Sequence, residues 1–408
     1  MMPENRAETL RTLFITWDGP GLSYLESLFL PIFEGLGQLG HRFDVLQFRW
    51  GDEAQRGRAQ AACAQAGIGY RSVPVWRFAG SAGPFASAVR GGSHVRRAVR
   101  DFRPDALMPR SLLPALATLA AGVNKLPPIV YDADGLEADE RAEFAGLATT
   151  GRPYRLLRDV EAQMLRQAKT VLVRTLAARE ILIARAGPPG DEEKYFAVTN
   201  GRDPSRFHPF DPEVRAAVRA GLDIPADAPL IVYAGSVGYR YNSPRIAEFA
   251  AAVRSRDPRA RLLVLSGSPD AARAEIGPAL TQLGSAATVL RAAPQDVARY
   301  LAAGDIGTAY VRPSFSTKGV SPVKIGEYLL CGLPLVGPAA VGETREALER
   351  GLMVDDSRGI EAAADWFVDT VLPRREHFRS EARALGLARF SLTRSVEDYA
   401  AALAALAR

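Results

Sequence analysis

Residues 312–338 read RPSFSTKGVSPVKIGEYLLCGLPLVGP. A polar loop bearing Ser, Gly and Lys (314–321) leads into a helix that Pro322 opens in its first turn, and then into a short apolar strand (333–336). That order belongs to an open α/β sheet, in which backbone N–H groups gather at a helix N-terminus and the helix dipole favours an anion. Lys324 and Glu327 are three residues apart and share one face of that helix. An ammonium beside a carboxylate suits a ligand that carries both phosphates and hydroxyls.

The same alternation extends in both directions. Apolar runs predict strands at 13–16, 41–48, 70–75, 106–108, 128–132, 170–174 and 195–198, separated by helices at 23–39, 85–102, 111–122, 153–168 and 176–186. A second series follows the turn at 200–204, with strands at 230–234, 261–266, 288–291, 306–311, 333–336 and 352–354. Its helices start near 244 and cover 270–280, 294–303, 322–331 and 342–350. Helices at 360–387 and 393–407, bent at Phe390, close the chain. The expected fold class is α/β, with two Rossmann-like doubly wound domains facing a cleft, at 1–205 and 206–375, and C-terminal helices at 376–408 returning toward the first. A length of 408 residues agrees, since single cores seldom grow past about 250–300.

Composition narrows the class. Cys63 and Cys331 have no metal-ligand spacing, there is no run of about 18 apolar residues, and the start lacks a signal-peptide core, so a cytoplasmic protein is expected. Eight arginines (56, 58, 71, 77, 90, 96, 97, 100) fall between 54 and 100 with no Asp or Glu. They read as a solvated basic face or, alternatively, as a surface for an anionic membrane at the inner face or a phosphorylated acceptor. No nucleic-acid recognition motif accompanies them. Asp132, Asp134, Glu137, Asp139, Glu140 and Glu143 form an acidic cluster, read as an exposed helix start rather than a metal site.

Glycine-bearing turns at 19–21, 235–238 and 319–326 are expected to line one cleft and favour a phosphate-bearing ligand. Lysine usage points the same way. The chain has five Lys against forty-six Arg, and two of the five, Lys318 and Lys324, lie in the opening stretch. A compact ammonium approaches a diphosphate where a guanidinium fork does not fit.

SPVKIGEYLLCGLP (321–334), YAGSVGYRYN (233–242) and NGRDPSRF (200–207) together resemble glycosyltransferase family 4, of GT-B fold, in a bacterial branch with a Ser-Pro-x-Lys-x-x-Glu-Tyr donor motif. VYDADGLEADERAEF (130–144) and PRSLLPAL (109–116) extend the resemblance into the first half. The resemblance implies metal-independent, cofactor-free, retaining transfer of a hexosyl or related group from a UDP- or GDP-sugar to an acceptor hydroxyl. The acceptor would be a small molecule, lipid-linked compound or glycan, in polysaccharide, glycolipid or natural-product glycosylation. Glu327 would accept from the ribose hydroxyls, and Lys324 or Lys318 with Arg240 would hold the diphosphate. Gly235, Ser236, Gly238, Gly319, Val320, Ser321, Gly19 and Gly21 would complete the donor side, with Arg110, Asp134 and Glu137 toward the acceptor. Three positions depart from the family pattern: Gly319 in place of the first glutamate of Glu-x7-Glu, Arg110 and Ser111 where a histidine is frequent, and Asp134 where the branch often carries Arg. A non-catalytic nucleotide-sugar-binding scaffold and a nucleotide-sugar epimerase are the alternatives on the same fold.

Overall fold

The computed structural model describes residues 9–19, 24–50, 52–76, 82–188 and 191–407. The chain divides into two compact units, Met1–Thr199 with Ser395–Arg408, and Asn200–Arg394. The first unit contains β1 (Arg11–Asp18), β2 (Arg42–Arg49), β3 (Gly69–Pro74), β4 (Ala106–Pro109), β5 (Val130–Asp132), β6 (Thr170–Val173) and β7 (Tyr195–Ala197). All its pairings are parallel, in the orders β3-β2-β1-β4 and β5-β6-β7, and single bridges Leu107–Ile129 and Arg110–Asp132 join β4 to β5. The second unit contains β8 (Leu230–Ala234), β9 (Arg261–Leu265), β10 (Ala287–Leu290), β11 (Ile306–Thr308), β12 (Leu335–Gly337) and β13 (Met353–Asp355), in the order β10-β9-β8-β11-β12-β13. Both sheets therefore wind outward in two directions from a first central strand. The central strands are buried on both faces, which is why LFI in β1 and LIVYA in β8 are continuous apolar runs rather than alternating ones. In such sheets the strand order reverses at one point, and ligands bind outside the carboxyl ends there. In the second unit that point lies between β8 and β11.

Several elements differ from expectation for identifiable reasons. The helix expected at 23–39 is a π-type turn, Leu25–Phe29, followed by an α-helix at Leu30–Gln38. A helix at Glu53–Gln65 was not expected, because only Ala59 and Cys63 are buried along it and no apolar stripe marks it. Asp52 starts it by accepting from Gln55 N at 2.7 Å. The stretch expected as 270–280 is two helices, Pro269–Ile276 and Pro278–Leu283, separated by Gly277 in a left-handed conformation. Pro322 precedes the Val323–Leu330 helix as its N-cap instead of lying within its first turn.

The arginine-rich segment is largely engaged. Arg56 pairs with Glu53 at 2.6 Å and Arg71 with Asp101 at 2.7 Å, Arg90 lies over the Trp76 ring, and Arg96 donates to the carbonyls of Ala120 and Ala121. The acids that balance the segment stand just outside its ends. Arg77 lies outside the described residues. Among the described residues no helix is long and apolar enough to cross a membrane.

The C-terminal helices do not form one block at 376–408. The Arg375–Phe390 helix belongs to the second unit, and the first unit regains the chain only at Ser395. The reason lies in two glycines. A Cβ on Gly326 would stand 2.9 Å from Phe390 Cβ, and one on Gly386 would stand 2.7 Å from Leu330 N, so Arg375–Phe390 and Val323–Leu330 meet almost backbone to backbone. Arg383 then donates to Leu330 O at 2.7 Å and caps the end of the Val323–Leu330 helix.

Gly386→Ala is expected to cost about 1–3 kcal/mol, because the added methyl meets backbone rather than a movable side chain. Gly37→Ala, whose Cβ would enter open space, is expected to be neutral or to stabilise by up to about 1 kcal/mol. Denaturant melts of the two variants check the contrast.

Candidate functional site

β8 ends at Ala234, and the next residue turns away with φ 135° at Gly235, a conformation that disfavours any residue with a side chain. A Cβ there would also stand 3.1 Å from Lys324 Nζ, so the glycine lets the backbone approach the ammonium. Gly238, with φ 124°, donates its N–H to Ser243 Oγ at 2.9 Å and closes the loop onto the Pro244–Arg256 helix. Across the strand-order reversal, Arg312 N donates to Arg240 O at 2.8 Å, tying the loop that follows β11 to the one that follows β8.

The Val323–Leu330 helix lies between β11 and β12 and carries the charged groups. Tyr328 Oη accepts from Ala234 N at 2.8 Å, and its ring occupies the space that a Cβ on Gly307 would need. That contact fixes the last residue of β8. One turn earlier, Lys324 is buried, with 8% of its surface accessible. Its Nζ has no hydrogen-bond partner and lies 4.1 Å from the centre of the Tyr233 ring and 5.0 Å from that of Tyr241. Burial pulls the ammonium down to about 7, Glu327 opposes that shift, and Arg240 adds to it. Buried amines without hydrogen bonds are costly and rare, so this one calls for an anionic partner.

Glu327 carries the complementary charge. Its Oε1 lies 2.9 Å from Arg202 Nη2, and burial raises its carboxyl above the usual carboxylate range against the pull of Arg202. Asn200 Nδ2 donates to Ser321 O at 3.1 Å, so the segment that opens the second unit folds onto the start of this helix. The preceding loop is stitched internally: Ser314 N donates to Thr317 Oγ1 at 2.8 Å and Val320 N to Thr317 O at 3.2 Å. Gly319 is buried in that turn, whereas Lys318 is exposed, 5.3 Å from the centre of the Phe315 ring. The fold thus gathers Lys324, Glu327, Arg240, Gly235, Ser236 and Ser321, and leaves Lys318 on the outer side of its turn.

The first unit's expected acceptor-side residues sit at the carboxyl ends of its strands. The acidic cluster is not simply an exposed helix start. Asp132 ends β5 in the core and receives Arg174 Nη2 on both oxygens, at 2.8 and 2.7 Å. Arg110 Nη2 lies 2.7 Å from Asp134, whose φ of 62° is unusual for a non-glycine residue. Glu137 accepts from Leu112 N at 2.7 Å and pairs with Arg141 at 2.5 Å, so it caps the Leu112–Ala120 helix. Asp139 is buried against Arg185 at 2.8 Å. Gly19 accepts from Gln55 Nε2 at 3.2 Å, while Gly21 lies outside the described residues. No group of three or more His, Cys, Asp or Glu among the described residues is arranged to hold a metal ion.

Residues 29–201 match the model of the glycosyl transferase 4-like domain, and residues 228–370 match that of the glycosyl transferases group 1. Alr3699/HepE from Anabaena, crystallised with UDP, is similar with a TM-score of 0.72 at 16% identity, over 96% of this chain and 98% of that one. A glycosyltransferase from Rickettsia africae gives 0.71 at 14% identity, over 98% and 99%. The fold is GT-B. A D-inositol 3-phosphate glycosyltransferase of Geodermatophilus obscurus is 30% identical over 294 residues, which span 69% of this chain but only 62% of that protein.

The GT-B frame leaves several important side chains without a local sequence signal. Arg174 and Arg202 meet their carboxylates across 42 and 125 positions of chain, and only folding pairs them. Asp132→Asn should cost about 3–5 kcal/mol in denaturant melts, since it strands a buried guanidinium. The exposed pair Arg256–Asp365 supplies the control, and Asp365→Asn should leave the midpoint unchanged.

Proposed function

We propose that this chain is a retaining glycosyltransferase that binds a UDP- or GDP-sugar on the second unit and transfers the sugar to an acceptor hydroxyl. The observation that carries the reading is Lys324, a buried ammonium without a hydrogen-bond partner, beside a glycine turn at the end of the first central strand. Matches to two glycosyltransferase domain models support it, as does similarity to a protein crystallised with UDP. In this reading the diphosphate lies against Lys324 and Arg240, and the ribose hydroxyls donate to Glu327. The bond from the anomeric carbon to the bridging phosphate oxygen breaks, and negative charge grows on that oxygen next to the ammonium. Preorganised cations stabilise such charge by several kcal/mol. The bond to the acceptor oxygen forms on the same face, and the acceptor proton passes to the departing phosphate, so no protein nucleophile is needed.

Saturating UDP or GDP should stabilise the protein, by about 2.7 kcal/mol at a hundredfold excess over Kd, visible as a raised Tm. No shift with either nucleotide contradicts the reading. Lys324→Ala should lower kcat/KM by roughly 10²–10³ while leaving the unliganded melt unchanged or raised. Wild-type turnover by that variant removes the phosphate assignment.

The pH dependence has a definite sign. Burial holds Lys324 near 7, so free protein around pH 8 has largely lost that proton, whereas a bound diphosphate favours the charged form. Binding therefore takes up a proton, and Kd for UDP or GDP should rise by up to about tenfold per pH unit above 7. Calorimetry in buffers of different ionisation enthalpy measures the uptake directly.

A further inference from the structure

Three cations act on Glu327: Arg202, Arg206 and Lys324. Lys324 lies three positions earlier on the same helix, a spacing at which opposite charges ordinarily pair. Here they do not. Glu327 Oε1 takes Arg202 Nη2 at 2.9 Å, while Lys324 Nζ makes no hydrogen bond and rests against the Tyr233 ring.

We propose that Arg202 is a positioning residue of the donor site: it holds Glu327 ionised and aimed at the ribose, and by occupying that carboxylate keeps Lys324 open for the diphosphate. This rests on the donor-binding role assigned above to Lys324 and Glu327.

Arg202 is placed with unusual firmness for a residue in an Asn-Gly-Arg-Asp-Pro turn. Its N–H donates to Phe390 O at 2.9 Å, its carbonyl accepts from Leu392 N at 2.8 Å, and its guanidinium lies 5.0 Å from the centre of the Phe207 ring. Phe390 is also the residue against which Gly326 packs, one position before Glu327. Guanidinium and carboxylate are therefore both referenced to Phe390, which fixes their separation. The pair is not sealed: 10% of the Arg202 side chain and 14% of the Glu327 side chain stay accessible, and Oε1 is the oxygen committed to Arg202. A carboxylate held by one oxygen can still accept from vicinal hydroxyls through its remaining lone pairs. Without Arg202, burial favours a protonated Glu327, and the cations left to it are Arg206 and Lys324. Protonation weakens the site at the ribose, and capture of Lys324 by the carboxylate weakens it at the phosphate.

The test is calorimetric titration of wild type, Arg202→Met and Arg202→Lys with UDP, GDP and their 2′,3′-dideoxy analogues. The wild type should prefer the ribonucleotide by roughly tenfold or more, as expected for hydroxyls bonded to a carboxylate. Arg202→Met should bind the ribonucleotide at least about tenfold more weakly, with that preference collapsed toward one, and Arg202→Lys should recover most of both. A stability defect alone leaves the preference ratio untouched, so an unchanged ratio in Arg202→Met overturns the proposal. If Arg202→Met does not fold, Arg202→Gln gives the same decision through the same ratio. A wild type that binds neither UDP nor GDP refutes the donor-site reading itself, one that binds without ribose preference refutes the Glu327–ribose contact, and a wild-type preference that Arg202→Met keeps refutes only the role of Arg202.

Discussion

A lysine ammonium buried without a hydrogen bond is a standing cost in the second unit, and much of the local architecture serves to maintain it. Two tyrosine rings receive its charge through their faces, and a glycine leaves room for it where β8 ends. Tyr328 secures that strand end by taking the Ala234 N–H, and Arg202 rather than Lys324 pairs with the Glu327 carboxylate. Such a group persists only when its surroundings over-determine its position. Here they do so from behind, through the close contact of the Val323–Leu330 and Arg375–Phe390 helices at Gly326 and Gly386.

The two units share one winding order but treat charge oppositely at their strand ends. In the first, Arg174 and Arg110 are matched by Asp132 and Asp134, so the cluster consumes its own charge. Breaking it strands an ion, and its first effect is on stability. In the second, the lysine is left without a hydrogen bond beside a backbone turn, and in the proposed reading its first effect is on what binds. This asymmetry matches the assignment of nucleotide recognition to the second unit.

The sequence makes legible whatever is local. β8 falls at 230–234 as expected because five apolar residues are bounded by Pro229 and Gly235, and the charged helix is visible because Pro322, Lys324 and Glu327 carry its start and face within six residues. The Glu53–Gln65 helix escapes because its buried side is only Ala59 and Cys63. Glu137 reads as part of an exposed helix start, and in the structure it also caps a helix that begins 25 positions earlier. The grip of Arg202 on Glu327 spans 125 positions and has no periodicity to betray it. Lysine scarcity points to both Lys318 and Lys324, and only burial separates them, one exposed over Phe315 and the other sunk against Tyr233.

Because the chain has only five lysines, the state of Lys324 can be read directly. Selective isotopic labelling of the lysine side chains and an NMR titration, with Lys324→Arg to assign the signal, give its pKa in the free protein and with UDP or GDP. The account predicts one lysine titrating near 7 in the free protein and shifting clearly upward when the nucleotide binds. A Lys324 that titrates near the ordinary lysine value of about 10.4, or whose titration the bound nucleotide leaves unmoved, would contradict it.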